Sequence, residues 1–209
     1  MILKIDSEKN LLEIYKSLDL QLIKHSENVA TYVHTLYQLS LENNLFPNQL
    51  CKEELAFIKD ATIYHDIGKS VYEKQFLNKR QQFTPKERSW VKHHVNLGLI
   101  VFKETYPYYD RNSDKSINIF INVAISAIGQ HHEKFDGSGY PNGLKGDEIS
   151  PIGQMCGLCD YYDAITTHRS YHIAFTHQRA FYRIYQERGK HFNPKLVELF
   201  LQNKELFQR

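Results

Sequence analysis

Residues 55–69 read LAFIKDATIYHDIGK, an apolar helical stretch that ends on a histidine beside an aspartate, followed by Gly68 and Lys69. Leu55, Ile58 and Ala61 recur at helical spacing and Ile63 adds apolar bulk, which predicts a helix over 51–67 stopped by Gly68. Adjacent helical side chains point about 100° apart, so two neighbours reach one point only near a helix end. His65 and Asp66 occupy such an end. An imidazole beside a carboxylate offers the mixed nitrogen and oxygen donors that suit iron, manganese or zinc. Taken alone, the pair also fits a surface dipeptide at the end of a helix.

Outward from this stretch the pattern stays helical. Residues 10–18 form a short amphipathic opener, and 20–44 a long helix with Leu22, Val29, Val33, Leu36 and Leu39 on one side, ending at Asn43-Asn44. Thr84-Pro85-Lys86-Glu87 combines a Thr cap, Pro at the first helical position and Glu at the third, opening a helix to about Glu104. A polar, turn-rich segment covers 106–116, and a helix runs from Ile117 to His132. The loop DGSGYPNGLKGDEIS follows at 136–150, then helices over 151–167, 174–188 and 194–206. With no strand-type alternation, repeat or linker, the expectation is one all-α domain over 20–209 with a short N-terminal helical arm over 1–19.

Composition narrows the function classes. The chain has 209 residues, 42% hydrophobic and 24% charged, which is globular, and its net charge of +2 gives no case for DNA binding. No apolar run approaches the ~20 residues that cross a bilayer. The opening MILKIDSEKN lacks a signal peptide's apolar stretch, and three cysteines do not make a disulfide framework. The expectation is a cytoplasmic protein with no membrane partner. The 11 histidines prompt a search for clusters. His25 lies in the preceding long helix, His94 in the following one, and His131-His132 closes the next. Asp160 sits among Ile152, Met155, Leu158 and Tyr161, where an unpaired carboxylate would be costly. His25, His65, Asp66, His94, His131, His132 and Asp160 exceed what one ion needs, which points to two metals.

The series His25…His65-Asp66…Lys69…His94…His131-His132-Glu133…Asp136-Gly137…Gly139-Tyr140-Pro141…Asp160 resembles the HD-GYP family of the HD phosphohydrolase superfamily. Three stretches carry the resemblance: HDIGK at 65–69, HHEKFDGSGYPNGLKGDEI at 131–149 and DYYDAITTHRSY at 160–171. It implies an HD-domain helical bundle with a C-terminal helical extension, built around an iron or manganese centre. It also implies hydrolysis of cyclic di-GMP to linear pGpG or GMP, or of a cyclic GMP-AMP dinucleotide. The seven residues above match the family's metal ligands, with Asp66 as the bridging carboxylate. Lys69 would contact the scissile phosphate, Arg169 would bind phosphate, and His94 or a water nearby would donate a proton. Lys69, Arg169, His172 and Tyr140 make up the expected substrate side, and Lys69, Asp66 and His94 the catalytic set. Implied partners are the cyclic dinucleotide and a regulatory or cyclase protein; the oligomeric state stays open, a dimer being one reading.

Several positions depart from the family pattern. Trinuclear members carry a glutamate four residues before the first histidine; here it is Gln21, a poor ligand, which favours two ions. His172 stands where a basic residue is common, the 70–83 segment SVYEKQFLNKRQQF lacks Pro and Gly, and 106–116 reads as an insertion. Two alternatives are another HD-superfamily nucleotide phosphohydrolase and a weakly catalytic docking module. Cys156 and Cys159 read as packing cysteines, and His34, His168, His177 and His191 as surface positions; His93 competes with His94, and the family's glycine four residues after the ligand fits His94 and Gly98. Tyr106, Tyr108 and Tyr109 read as packing for the insertion, Tyr140 as a loop organiser, and Glu133, Asp136 and Asp163 as groups supporting the ligands or the loop.

Overall fold

The computed structural model describes residues 9–79, 81–106, 114–168 and 174–208. Among these residues every regular element is helical, apart from one isolated bridge between Arg188 and Phe192. Helices α1 (Leu11–Lys16) and α2 (Leu20–Glu42) start where Asn10 and Asp19 accept the backbone N–H groups of Glu13 and Gln21. Helices α3 (Ile58–Thr62) and α4 (Lys74–Leu77) are short. The Thr84–Glu87 capping box opens α5 (Pro85–Lys92), and α6 (His94–Thr105) follows at once. The chain continues through α7 (Lys115–Gln130), α8 (Pro151–Thr166), α9 (His177–Gln186) and α10 (Pro194–Gln202).

Four helices close a ring: α2 packs on α3 and α8, and α7 packs on the same two. The ring is filled by Val29, Val33 and Leu36 of α2, Ile58 and Ala61 of α3, Val123 and Ile128 of α7, and Met155 and Leu158 of α8. Each large apolar side chain buried this way contributes roughly 1.5–3 kcal/mol. Leu11, Ile14 and Tyr15 of α1 join the same core, with the Tyr15 ring edge-on to Tyr64 at 5.5 Å.

Two expected helices are broken. Over 51–67 the chain makes a 3-10 turn (Lys52–Ala56), pivots at Phe57 and forms only the five residues of α3. Beyond α3 it tightens into i→i−3 bonds, from Tyr64 N–H to Ala61, His65 to Thr62 and Ile67 to Tyr64, and enters a second 3-10 turn at Ile67–Val71. His65 and Asp66 therefore sit in a tight turn beyond the helix. The expected 84–104 helix is jointed at His93, whose N–H turns back to Trp90. Helix α5 buries none of its residues, whereas α6 buries His94, Val95, Gly98, Val101 and Phe102. Neither joint contains Pro or Gly, so the pattern alone does not mark it.

Close helix approaches set the geometry around these joints. A Cβ on Gly68 would overlap the His94 carbonyl oxygen and the backbone nitrogen of Gly98, so the Ile67–Val71 turn lies directly on α6. Gly157 of α8 faces the His131 carbonyl, where a Cβ would approach to 2.7 Å. These contacts draw the segments carrying Asp66, His94, His131 and Asp160 together. Residues 107–113, most of the expected insertion, lie outside the described residues together with Tyr108 and Tyr109. Tyr106 at its edge stacks on Phe102 and Phe120 at 5.1 Å each.

Candidate metal centre

All seven expected ligands converge. Asp66 lies between two groups of three: His94, His131 and His132 on one side, His25, His65 and Asp160 on the other, each group with donor atoms within 4.8 Å of one another. Its Oδ1 is 3.2 Å from His94 Nε2 and 3.7 Å from His131 Nε2. Its Oδ2 is 3.5 Å from His65 Nε2 and 3.8 Å from His25 Nε2. Asp160 Oδ1 lies 3.0 Å from His25 Nε2 and 4.0 Å from His65 Nε2. One carboxylate thus offers an oxygen to each trio.

The imidazoles are turned by what holds their outer nitrogens. His65 Nδ1 meets the Thr62 carbonyl at 3.1 Å, His94 Nδ1 that of Val91 at 2.7 Å, and His131 Nδ1 that of Ala127 at 2.8 Å. His25 Nδ1 meets Asp163 Oδ2 at 2.6 Å. Carbonyl and carboxylate oxygens only accept, so Nδ1 carries the proton in each ring and Nε2 presents a lone pair inward. His94 Nε2 and His131 Nε2 then face one another at 3.2 Å as two lone pairs. His25 Nε2, His65 Nε2 and Asp66 Oδ1 are buried with no hydrogen-bond partner. Lone pairs packed against lone pairs repel unless a cation lies among them, and orphaned buried acceptors are costly. Donors about 2.0–2.2 Å from a shared ion stand at separations of this order. The residues fit divalent metal.

The electrostatics are consistent. Burial pushes the Asp66 carboxyl up, but Lys69 and the surrounding histidines outweigh it and hold it well below the usual carboxylate range. Asp160 is likewise held low against its burial, by His25 first. Burial, reinforced by His65 and His94, drops His131 to about 3, and it also lowers His132 and His65. His25 goes the other way: burial lowers it, but Asp160 and Asp163 more than compensate. The anions stay charged and most of the imidazoles stay neutral, the states in which they bind metal.

The mouth of the centre is lined from three segments: the Ile67–Val71 turn, the loop after α7 and the end of α5. The Lys69 ammonium, partly exposed, hydrogen-bonds Asp66 Oδ2. The Tyr140 ring stacks on His132 at 4.7 Å, and Lys92 Nζ lies 5.0 Å from the Tyr140 ring centroid. Glu133 folds the loop behind Tyr140 by accepting the N–H groups of Asn142 and Leu144 at 2.8 and 3.0 Å. Asp136 caps Ser138 within the same loop. Arg169 and His172 lie outside the described residues. Gln21 is exposed at the start of α2, one turn before His25.

Cys156 and Cys159 are free and fully buried in α8, as packing cysteines are. His93 and His168 are exposed. His191 and His177 are corrected from surface positions: the His191 ring stacks on Phe192 at 4.2 Å with burial lowering it to about 4, and His177 Nδ1 meets the Tyr162 hydroxyl at 2.7 Å. Two residues at the site escaped the sequence reading. Asn28, one turn after His25, donates to Asp163 at 2.9 Å, and Lys92 stands two residues before His94. Helical spacing from a ligand was the available signal for Asn28; nothing in the sequence marked Lys92.

Comparison with known proteins agrees with this geometry. The HD domain family matches residues 41–196. The 3'3'-cGAMP-specific phosphodiesterase 2 of Vibrio cholerae is 32% identical over 88% of this chain and 31% of its own length. The cyclic di-GMP phosphodiesterase response regulator RpfG of Xanthomonas campestris is 33% identical over 74% of this chain and 38% of its own. A cyclic di-GMP phosphodiesterase of Vibrio cholerae is 29% identical over 95% of this chain and 39% of its own. The chain thus spans well under half the length of these relatives. With the HD pair and the GYP loop both lining one histidine-rich centre, the chain belongs to the HD-GYP family of HD-domain phosphohydrolases.

Proposed function

We propose that this chain hydrolyses a phosphodiester bond of a cyclic dinucleotide, cyclic di-GMP first, using two divalent ions, iron or manganese. The carrying observation is Asp66, one oxygen toward each trio, with four histidine lone pairs aimed at it from anchored rings. His25, His65 and Asp160 would hold one ion, His94, His131 and His132 the other, with Asp66 shared. When bound, such ions lower the pKa of water and polarise phosphoryl oxygens. Mixed nitrogen and oxygen donors with no thiolate suit iron or manganese. Gln21, exposed and uncharged, supports two ions rather than three.

The protein's own groups do the rest. Lys69, at the mouth, faces the scissile phosphate and stabilises the charge that builds on its oxygens during displacement. Arg169 supplies a second, bidentate phosphate contact and His172 a weaker one. Tyr140 and Lys92 form the wall against which the dinucleotide seats. His94 serves as a ligand rather than a proton donor, because its proton is on Nδ1 and committed to Val91. The likeness to a 3'3'-cGAMP-specific enzyme makes the mixed dinucleotide the second substrate to test. A substrate of this kind places the activity in the cytoplasm.

The test is hydrolysis by anaerobically purified protein loaded with Fe(II) or Mn(II), with products separated by chromatography and bound metal counted. Cyclic di-GMP converted to pGpG or GMP at about two ions per chain is the expected result. Turnover of cyclic GMP-AMP alone would move the substrate to the mixed dinucleotide. A fully loaded protein inert toward both would overturn the proposal.

A further inference from the structure

His25 is held differently from the other anchored histidines. His65, His94 and His131 each give the Nδ1 proton to a backbone carbonyl three or four residues back in their own segments. His25 gives it to a carboxylate, Asp163 Oδ2, across the α2–α8 interface at 2.6 Å. The second oxygen of Asp163 is occupied as well, accepting from Asn28 Nδ2 at 2.9 Å. His25 and Asn28 lie one turn apart on α2, and Asp160 and Asp163 one turn apart on α8, so the two helices meet face to face through four polar groups. Asp163 is only 1% exposed, and the interface costs energy unless its groups are satisfied.

This makes the two halves of the centre unequal. The half formed by His25, His65 and Asp160 has two carboxylates of its own, Asp160 and Asp163. The other half has three imidazoles and no anion of its own. Asp66 is common to both. Lys69 bonds the Asp66 oxygen that faces the His25 half, yet that half still sets two carboxylates of its own against this one ammonium. A carboxylate on the outer nitrogen also makes an imidazole a more basic ligand and fixes its ring, which a neutral carbonyl does less well.

We propose that the two halves load in order. The His25, His65 and Asp160 half takes the first divalent ion and the His94, His131 and His132 half takes the second. Asp163 is the positioning residue that sets the order, acting through His25. The inference rests on the two-ion reading above, and the experiment separates the two.

Mn(II) is titrated into metal-stripped full chain, with bound ion followed by calorimetry and by loss of the free-ion electron paramagnetic resonance signal. Wild type is expected to bind two ions in steps at least ~10-fold apart in Kd. Asp163→Asn, which keeps the size and one acceptor, should weaken the tighter step by about 10–100-fold and leave the other within a few-fold. His132→Ala should remove the weaker step and spare the tighter. Asn28→Ala keeps every charge and removes only one anchor of Asp163; it should weaken the tighter step by a smaller factor, and it carries the test if Asp163→Asn does not fold. Two ions binding wild type with equal affinity would overturn the ordering alone. So would a loss at Asp163 shared equally by both steps, or His132→Ala abolishing the tighter step. Fewer than two ions on wild type would overturn both readings.

Discussion

Each imidazole at the centre presents two nitrogens, and the partner of Nδ1 decides which one faces inward. That partner is a carbonyl one turn back for three of the rings, so their orientation is a local property of the turn before each histidine. Ligand types were readable in the sequence because charged or titratable groups on apolar helices demand an explanation. Their support was not: His25 and Asp163 are 138 positions apart, and only folding brings the acid to the ring. Lys92 was unreadable for a similar reason, since its relevance comes from Tyr140 on another element. Lys69 makes a prediction at this scale. It pairs with Asp66 but donates no lone pair to a cation. Lys69→Ala should therefore lower kcat by about 10²–10³ while the protein keeps its metal. Steady-state kinetics beside elemental analysis of the same sample checks this, and metal lost in proportion to activity would count against the assignment.

At the scale of elements, the helices were legible wherever apolar spacing ran unbroken, as in α2, α7 and α8. The joints at Phe57 and His93 were not, because a tightened 3-10 turn uses the same residue types as the helix it interrupts. The i→i−3 turn that follows α3 and the joint at His93 bring Asp66 and His94 to one another, and the packing of the Ile67–Val71 turn on α6 holds them there. Gly68 is the pivot of that packing. Gly68→Ala should push the turn off α6 and destabilise the protein by about 1–3 kcal/mol or more. Such a loss would lower the melting temperature by several degrees, at roughly 2–4 °C per kcal/mol for a chain of this size. Gly129→Ala serves as the contrast, since its added methyl would meet only the Leu99 side chain, no closer than 3.5 Å. Equal melting temperatures for the two variants would show that the crossing tolerates the methyl.

Across the whole molecule, the centre joins α2, the turn after α3, α6, the end of α7 and α8 at one point, so it also acts as a fastening. Without metal, burial keeps His65, His131 and His132 below their ordinary value of 6.5. The unfolded chain then binds those protons more readily than the folded one, and stability falls as pH drops below about 6.5. For His131 the loss continues toward its folded value of about 3. His25 is raised and opposes the trend, but it is one ring against three. Asp66 and Asp160, held low, add their own loss only below their ordinary value of 3.8. The metal-stripped protein should accordingly melt at a lower temperature at pH 5 than at pH 7.5, and added Mn(II) should raise the melting temperature in a concentration-dependent way. A scanning calorimetry series checks both, and a metal-free protein indifferent to pH across that range would contradict the burial of these rings. The reach of the centre along the chain, from His25 to Asp160, has a further meaning for biosynthesis. While the chain is being made, its first two-thirds can emerge carrying six of the seven ligands and still lack the acid that completes one half of the centre. With the His25 half loading first, its ion cannot then serve as a seed around which the early helices gather, because that half is whole only once α8 has been made and has come to rest against α2.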